Sequence, residues 1–299
     1  MLLEKLEAVS RLIGNTPVVG LDVGPGKVYV KLEYMNPTGS HKDRIAYYML
    51  REAVSRGLLK ESDKVVEASS GNTAISVSWV CNLLGLKPVI FTEDTVSRGK
   101  LALLRGLGAE IHLVPRRPYG DPEHYINVAR RFAEENGLVF LNQYDNEANW
   151  RAHYETTGPE IRRQVESFDA FVMGVGTGGT IVGVGKYLRE NVPGVRIIGV
   201  APSGSPLLGG SLGDNIEGLA STLVSGIFWR HGSVVDELVG VSLEEAISGV
   251  RELMSRGILA GPSSGANFYV ATRYAMRGLR VVTLAADSIL RYPEVIEKL

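Results

Sequence analysis

One lysine, Lys42, stands in the polar run Asn36-Pro37-Thr38-Gly39-Ser40-His41-Lys42-Asp43-Arg44, immediately before a helical stretch from Ile45 to Arg56. An ammonium at the start of a helix meets the partial positive charge of the helix N-terminus, which disfavours its charged form; the neutral amine adds to carbonyl carbons. A solvated surface lysine is the plain alternative, and two glycine-rich loops downstream argue against it. The first, Ser69-Ser70-Gly71-Asn72-Thr73, follows a strand ending at Ala68 and opens an apolar helix, so its amides and hydroxyls can cradle a carboxylate or phosphate. Ser and Asn there could also be helix caps.

The second loop, Gly174-Val175-Gly176-Thr177-Gly178-Gly179-Thr180, again follows a strand and opens a helix. It contains GxGxxG, but a dinucleotide site wants an acid about 20 positions on, and the next strand ends Gly199-Val200-Ala201-Pro202. The nucleoside-triphosphate loop fails too, because Gly185-Lys186 is followed by Tyr187, with Thr180 where its first glycine is needed. What remains is a phosphate cup of backbone amides and two threonine hydroxyls. Amide hydrogen bonds to a charged group contribute about 1.5–3 kcal/mol each, against about 0.3–1 for the helix dipole, so the amides dominate. A third segment, Gly261-Pro262-Ser263-Ser264-Gly265-Ala266-Asn267, precedes an apolar helix, and its serines read as caps. A nucleophilic lysine, a phosphate cup without a nucleotide signature and a carboxylate cradle together point to pyridoxal phosphate acting on an amino acid. The five histidines lack zinc-ligand spacing and no serine nucleophile elbow is present, so no metal is expected.

Such loops need strands behind them and helices in front. Short β-branched runs alternate with helical periods along the chain, which predicts an α/β fold of two wound domains, each with a central sheet covered by helices. The first series reads strand 64–68, helix 73–84, strand 88–91, helix 97–107, strand 111–114, helix 123–136 and strand 138–141. The second reads strand 170–173, helix 181–190, strand 196–200, helix 243–255 and strand 280–284, with two β runs, 17–21 and 27–33, ahead of the lysine loop. The polar stretch Tyr144 to Trp150 separates the halves. Residues 37–144 are expected to form a smaller domain carrying the lysine and the carboxylate loop, and 1–36 with 145–299 a larger one carrying the phosphate cup.

At 299 residues, 44% hydrophobic and 22% charged, the chain is that of a folded protein long enough for two cores. The formal net charge is −1 and no basic run exceeds Arg116-Arg117, which argues against nucleic acid. The N-terminus mixes charges into its apolar residues and no apolar stretch is long enough to span a membrane. The one cysteine, Cys81, sits in an apolar helical run and reads as a small buried hydrophobe.

Several motifs in order resemble the cysteine synthase (O-acetylserine sulfhydrylase) family of fold-type II pyridoxal phosphate enzymes, whose fold is like that of tryptophan synthase β. They are Ile13-Gly14-Asn15-Thr16-Pro17, residues 36–44, Ser70-Gly71-Asn72-Thr73, Thr156-Thr157-Gly158-Pro159-Glu160-Ile161, residues 176–180 and 257–265. The resemblance implies that Lys42 forms the internal aldimine and that Gly176, Thr177, Gly178, Gly179 and Thr180 hold the cofactor phosphate. Asn72 would bond the ring's phenolic oxygen and Ser263 the pyridine nitrogen, while Ser69, Ser70, Thr73 and Gln143 would close on the substrate carboxylate. It further implies a cytoplasmic homodimer that makes L-cysteine from an activated serine and sulfide, through an α-aminoacrylate. The sequence departs from the family pattern at His41, where an apolar residue is usual, and at Ala68-Ser69, where Pro-Thr is. O-acetylserine ranks ahead of O-phosphoserine because no Lys, Arg or His occurs between Arg196 and Arg230, and Glu217 stands where an arginine would be expected. Cystathionine β-synthase-like use of serine and threonine synthase are the neighbouring alternatives, and an amino-acid-binding protein is the alternative without catalysis.

Overall fold

A computed structural model describes residues 2–297 and 299. In chain order its elements are α1 (Leu2–Ser10), β1 (Val18–Val23), β2 (Gly26–Leu32), α2 (Lys42–Ser55), β3 (Lys64–Ala68), α3 (Asn72–Leu84), β4 (Lys87–Glu93), α4 (Arg98–Gly106), β5 (Glu110–Val114) and α5 (Tyr125–Asn136). There follow β6 (Val139–Phe140), α6 (Glu147–Ala152), α7 (Gly158–Gln164), β7 (Ala170–Gly174), α8 (Gly179–Asn191), β8 (Arg196–Pro202), α9 (Gly226–His231), β9 (Glu237–Val241), α10 (Leu243–Ser255), α11 (Pro262–Ala275), β10 (Arg280–Ala285) and α12 (Pro293–Ile296). A π-helical turn, His153–Thr157, joins α6 to α7. No helix among the described residues is long and apolar enough to cross a membrane.

The chain forms two units, Met1–Ile13 with Asn36–Asn149 and Gly14–Met35 with Trp150–Leu299. The smaller holds a parallel sheet in the order β5-β4-β3-β6. Four of the five residues of β3 and five of the seven of β4 are buried, as expected of parallel strands covered on both faces. Helix α3 stops at Gly85, whose φ of 76° is left-handed; the Leu86 N–H then bonds the Cys81 carbonyl at 2.8 Å. The larger unit holds the order β1-β2-β10-β7-β8-β9, antiparallel only at β1–β2. Successive residues of β7 feed opposite faces, Val172 into one core with Ile198 and Phe268, and Phe171 and Met173 into another with Ile197 and Ile181.

One boundary differs from the sequence reading, which put residues 1–36 wholly with the larger domain. Residues 14–35 do go there, because β2 pairs with β10, but α1 belongs to the smaller unit. It buries Leu6 and Val9, packs on α2 and α3, and ties Lys5 Nζ to Glu61 at 2.7 Å. That docking is tertiary, and a nine-residue amphipathic helix carries no local sign of it.

Two of the motif segments meet in a buried ion network of the larger unit. Lys31 Nζ, fully buried, lies 2.7 Å from Glu160 and donates to Thr16 O at 2.8 Å and Gln164 Oε1 at 2.9 Å. The Thr16 hydroxyl donates to Glu33 at 2.6 Å. A buried cation is tolerable only when it is paired and bonded on every side in this way.

Candidate active site

Lys42 is the first residue of α2 and is half-buried. The loop before it is held by its own polar groups. Gly39, at φ 81°, turns the chain so that its N–H meets the Asn36 carbonyl at 2.8 Å, and Asp43 accepts from the Thr38 N–H at 2.8 Å and the Thr38 hydroxyl at 2.5 Å. Thr38 Oγ1 also lies 3.2 Å from Ser76 Oγ, which fixes the lysine loop against α3.

The same unit carries the carboxylate loop. Neither Ser69 nor Asn72 caps α3: the cap position is Gly71, with no side-chain cap bond, and Asn72 is already helical. First-turn amides of a helix have no intrahelical acceptor, and here no side chain supplies the cap bond. Ser69 Oγ instead accepts from the Gly71 N–H at 3.2 Å, and Ser70 is exposed. The buried Thr73 hydroxyl donates to Gln143 Oε1 at 2.6 Å, and Gln143 Nε2 donates to Ala68 O at 3.2 Å. Thr73 and Gln143, 70 residues apart in sequence, are thus one hydrogen-bonded pair beside the loop.

Beneath that pair is a group that the sequence reading missed. Glu67, the fourth residue of β3, is wholly buried; its Oε1 accepts from the Ala68 N–H at 2.8 Å, and its Oε2 has no hydrogen-bond partner. Burial pushes its pKa up to about 8, against the opposing pull of the Ala68 and Gln143 backbone N–H groups and of the Lys42 charge. Burial thus favours the protonated, neutral form of this carboxyl.

In the larger unit the cup forms at the head of α8. Gly178 is its cap residue, at φ 80°, a backbone that strongly favours glycine. A Cβ on Gly176 would meet the Gly218 carbonyl oxygen at 2.5 Å, and one on Gly178 would meet Phe228 Cβ at 2.9 Å. The backbone is thus left bare by construction. Thr177 and Thr180 are buried with their hydroxyls in this turn, and the Thr177 carbonyl is held by the Ser225 hydroxyl at 2.5 Å. Thr180 Oγ1 lies 3.2 Å from His153 Nε2. The set fits a phosphate group: amides, two hydroxyls and a helix N-terminus.

Ser263 is not a cap either, since Gly261 occupies the cap position of α11 and Pro262 begins the helix. Ser264 Oγ accepts from the Ala286 N–H at 2.9 Å. Ser263 lies beside the Gly218 turn, where an added Cβ would come within 3.1 Å of its Oγ. Gly218 therefore touches both the Gly176 backbone and Ser263, and it brings the cup and this hydroxyl to one place, which nothing in their spacing announces. Its neighbour Glu217 is half-buried. Among the described residues, no group of three or more His, Cys, Asp or Glu could hold a metal.

The chain matches the family described as "Pyridoxal-phosphate dependent enzyme" over residues 9–287. It is 39% identical over 299 residues to a cysteine synthase of Staphylococcus aureus, covering 96% of this chain and 95% of that one. It is 36% identical to cysteine synthase B of Campylobacter jejuni, covering 96% of each chain. Among solved structures it is similar to an O-ureido-L-serine synthase, with TM-score 0.91 and 34% identity over 97% of this chain and 95% of that one. It is also similar to an O-acetylserine dependent cystathionine beta-synthase from Helicobacter pylori, with TM-score 0.88 and 33% identity over 96% of each.

Proposed function

The chain belongs to the pyridoxal-phosphate dependent enzyme family, and from that premise we propose that it is a cysteine synthase that converts O-acetylserine and sulfide to L-cysteine and acetate. The observation that carries the reading is the neutral hydroxyl of Ser263 beside the phosphate cup. A serine cannot stabilise a charged pyridinium as a carboxylate would, which moderates the electron sink and favours loss of a β-substituent over transamination.

When bound, pyridoxal phosphate supplies that electron sink at the substrate's Cα. The rest falls to side chains. Lys42 would tether the cofactor, and Gly176, Thr177, Gly178, Gly179 and Thr180 would bind its phosphate through amides and hydroxyls. Asn72 orients the ring through its phenolic oxygen. Thr73 and Gln143, paired with each other here, would exchange that bond for the substrate carboxylate, with Ser69 and Ser70 completing the cradle. With the cofactor bound, Lys42 would take the substrate's α-proton onto Nζ and hold it while acetate leaves Cβ with the bonding electron pair. After sulfide adds at Cβ, Lys42 returns the proton to Cα.

For the donor, Glu217 and the lack of any Lys, Arg or His from 197 to 229 favour a neutral ester over a phosphate. Two like charges about 4 Å apart cost roughly 4 kcal/mol at an effective dielectric near 20. The Helicobacter pylori relative, whose name specifies O-acetylserine, supports that donor on this scaffold. On family grounds we also assign the protein to the cytoplasm as a homodimer. The test is cysteine formation from sulfide with O-acetylserine, O-phosphoserine or serine. O-acetylserine should give cysteine and acetate in equal amounts at the lowest half-saturating concentration. Saturation by O-phosphoserine at a lower concentration would overturn the ranking, and no cysteine from any donor would overturn the assignment.

A further inference from the structure

The chain leaves β6 at Phe140 and reaches Gln143 through one residue in an uncommon conformation. Asn142 has a φ of 50°, in the left-handed region that residues other than glycine seldom occupy. Its buried side chain does little to hold it there: Nδ2 donates to Asp145 Oδ2 at 3.2 Å, and Oδ1 has no hydrogen-bond partner. The neighbouring backbone does far more. The Leu141 N–H donates to Val66 O at 3.0 Å, and the three carbonyls that follow are each pinned. Leu141 O accepts from Asn146 Nδ2 at 2.8 Å, Asn142 O from the N–H groups of Asp145 and Asn146 at 3.1 and 3.0 Å, and Gln143 O from Asn149 Nδ2 at 2.7 Å. Asn149 is wholly buried.

A sparsely populated backbone persists only where its surroundings over-determine it, and such residues cluster at ligand sites. The residue that this one aims is Gln143. A residue's two soft dihedrals set the direction of the chain after it, so a return of Asn142 to an extended or right-handed backbone would swing Gln143 off its partners, Ala68 O at 3.2 Å and Thr73 Oγ1 at 2.6 Å. Asparagine tolerates the left-handed region better than most side chains, and glycine enters it freely. With Oδ1 left unpartnered, backbone rather than side-chain contact accounts for the residue type at 142. We propose that Asn142 is a positioning residue for the grip on the substrate carboxylate: its left-handed backbone, locked by Asn146 and Asn149, sets the Gln143 amide in place before the substrate arrives. The inference rests on the reading of Gln143 as a carboxylate-binding residue.

The test compares L-alanine with L-alaninamide, which keeps the amine and lacks the carboxylate, each titrated into holoenzyme and followed by the absorbance of the bound cofactor. The wild type should bind L-alanine the more tightly. In Asn142→Ala the free protein disfavours the left-handed backbone and binding must restore it, so the ratio of the two affinities should fall roughly tenfold while pyridoxal phosphate affinity holds. Asn142→Gly, which accepts that backbone without a side chain, should restore the ratio. Asn149→Ala releases the Gln143 carbonyl and should lower the ratio as well, a second reading that does not need Asn142→Ala to fold. Both ligands weakened alike, with the ratio unchanged in the two alanine variants, would mark a structural role alone and overturn the proposal. A ratio as low in Asn142→Gly as in Asn142→Ala would overturn it too. A wild-type preference that Thr73→Val lowers and both alanine variants keep would leave the carboxylate site standing and remove Asn142 from it. Equal binding of the two ligands by the wild type would overturn the carboxylate reading and the proposal together.

Discussion

Replacing Glu67 by Gln removes a buried carboxyl while keeping its shape, and the consequence for stability depends on pH in a direction the structure fixes. The folded pKa is pushed up to about 8 by burial, against an ordinary value of 4.5. An acid whose folded pKa is raised contributes stability that is fully present below pH 4.5 and is lost as pH rises toward 8. Each pH unit in that window is worth about 1.4 kcal/mol, so the wild type should lose roughly 5 kcal/mol from this group across it. Between pH 5.5 and 7.5 the loss is roughly 2–3 kcal/mol, and in Glu67→Gln that contribution is zero. Groups that interact with Glu67 are Lys42 on α2 and the Tyr125–Tyr144 hydroxyl pair, 2.7 Å apart, which Glu93 at the end of β4 also faces. Burial pushes both phenols up, so they stay protonated throughout this range. At pH 5.5 the variant should be slightly less stable than the wild type, because an amide N–H replaces the Oε2 end, where no partner exists. At pH 7.5 the order should reverse. Paired urea titrations of the two proteins at both pH values measure the gap. A gap that does not change between pH 5.5 and 7.5 would refute the assignment of a neutral Glu67.

Glu160→Gln leaves the buried Lys31 ammonium without the carboxylate at 2.7 Å and should cost about 3–5 kcal/mol by thermal or chemical denaturation, and a cost below about 1 would contradict the ion network. Gly176→Ala drives a Cβ to 2.5 Å from the Gly218 carbonyl, so about 1–3 kcal/mol of stability and most cofactor affinity should go, whereas Gly99→Ala, with nothing within 4 Å of its Cβ, is the neutral control. Thr73→Val removes the hydroxyl paired with Gln143 and should raise the KM for the amino-acid donor roughly tenfold or more with a smaller change in kcat. An unchanged KM would move the carboxylate site elsewhere.

The loops were legible because strand-to-helix junctions rich in glycine have a local signature, and β3, read as 64–68, came out residue for residue. What the side chains at those junctions do was less legible. Serine and asparagine at a helix start predict caps by propensity, yet both α3 and α11 take glycine there and leave their first-turn amides uncapped by side chains. Ser263 is the sharper case, since its importance comes from the Gly218 turn beside it, more than 40 residues earlier in the chain. Glu67 gave no signal because an acid in a short strand is ordinarily read as facing water, and its burial follows from sheet packing on both faces. His153 needed the π-helical turn, whose register places the ring against Thr180 and cannot be read from a 3.6-residue period. Glycine at 158 and 183 was the available sign that two backbones approach closely there.

The account turns on Lys42 as the residue that bonds the cofactor, and reductive trapping tests it most directly. The purified holoenzyme should be yellow. Borohydride should bleach it, fix pyridoxal phosphate in a 1:1 ratio to the chain, and leave a single labelled peptide in which Lys42 carries the added mass. Lys42→Ala should lose the trapped label while still binding cofactor reversibly through the Gly176–Thr180 loop. A label on any lysine other than Lys42, or undiminished trapping in Lys42→Ala, would contradict the account at its centre.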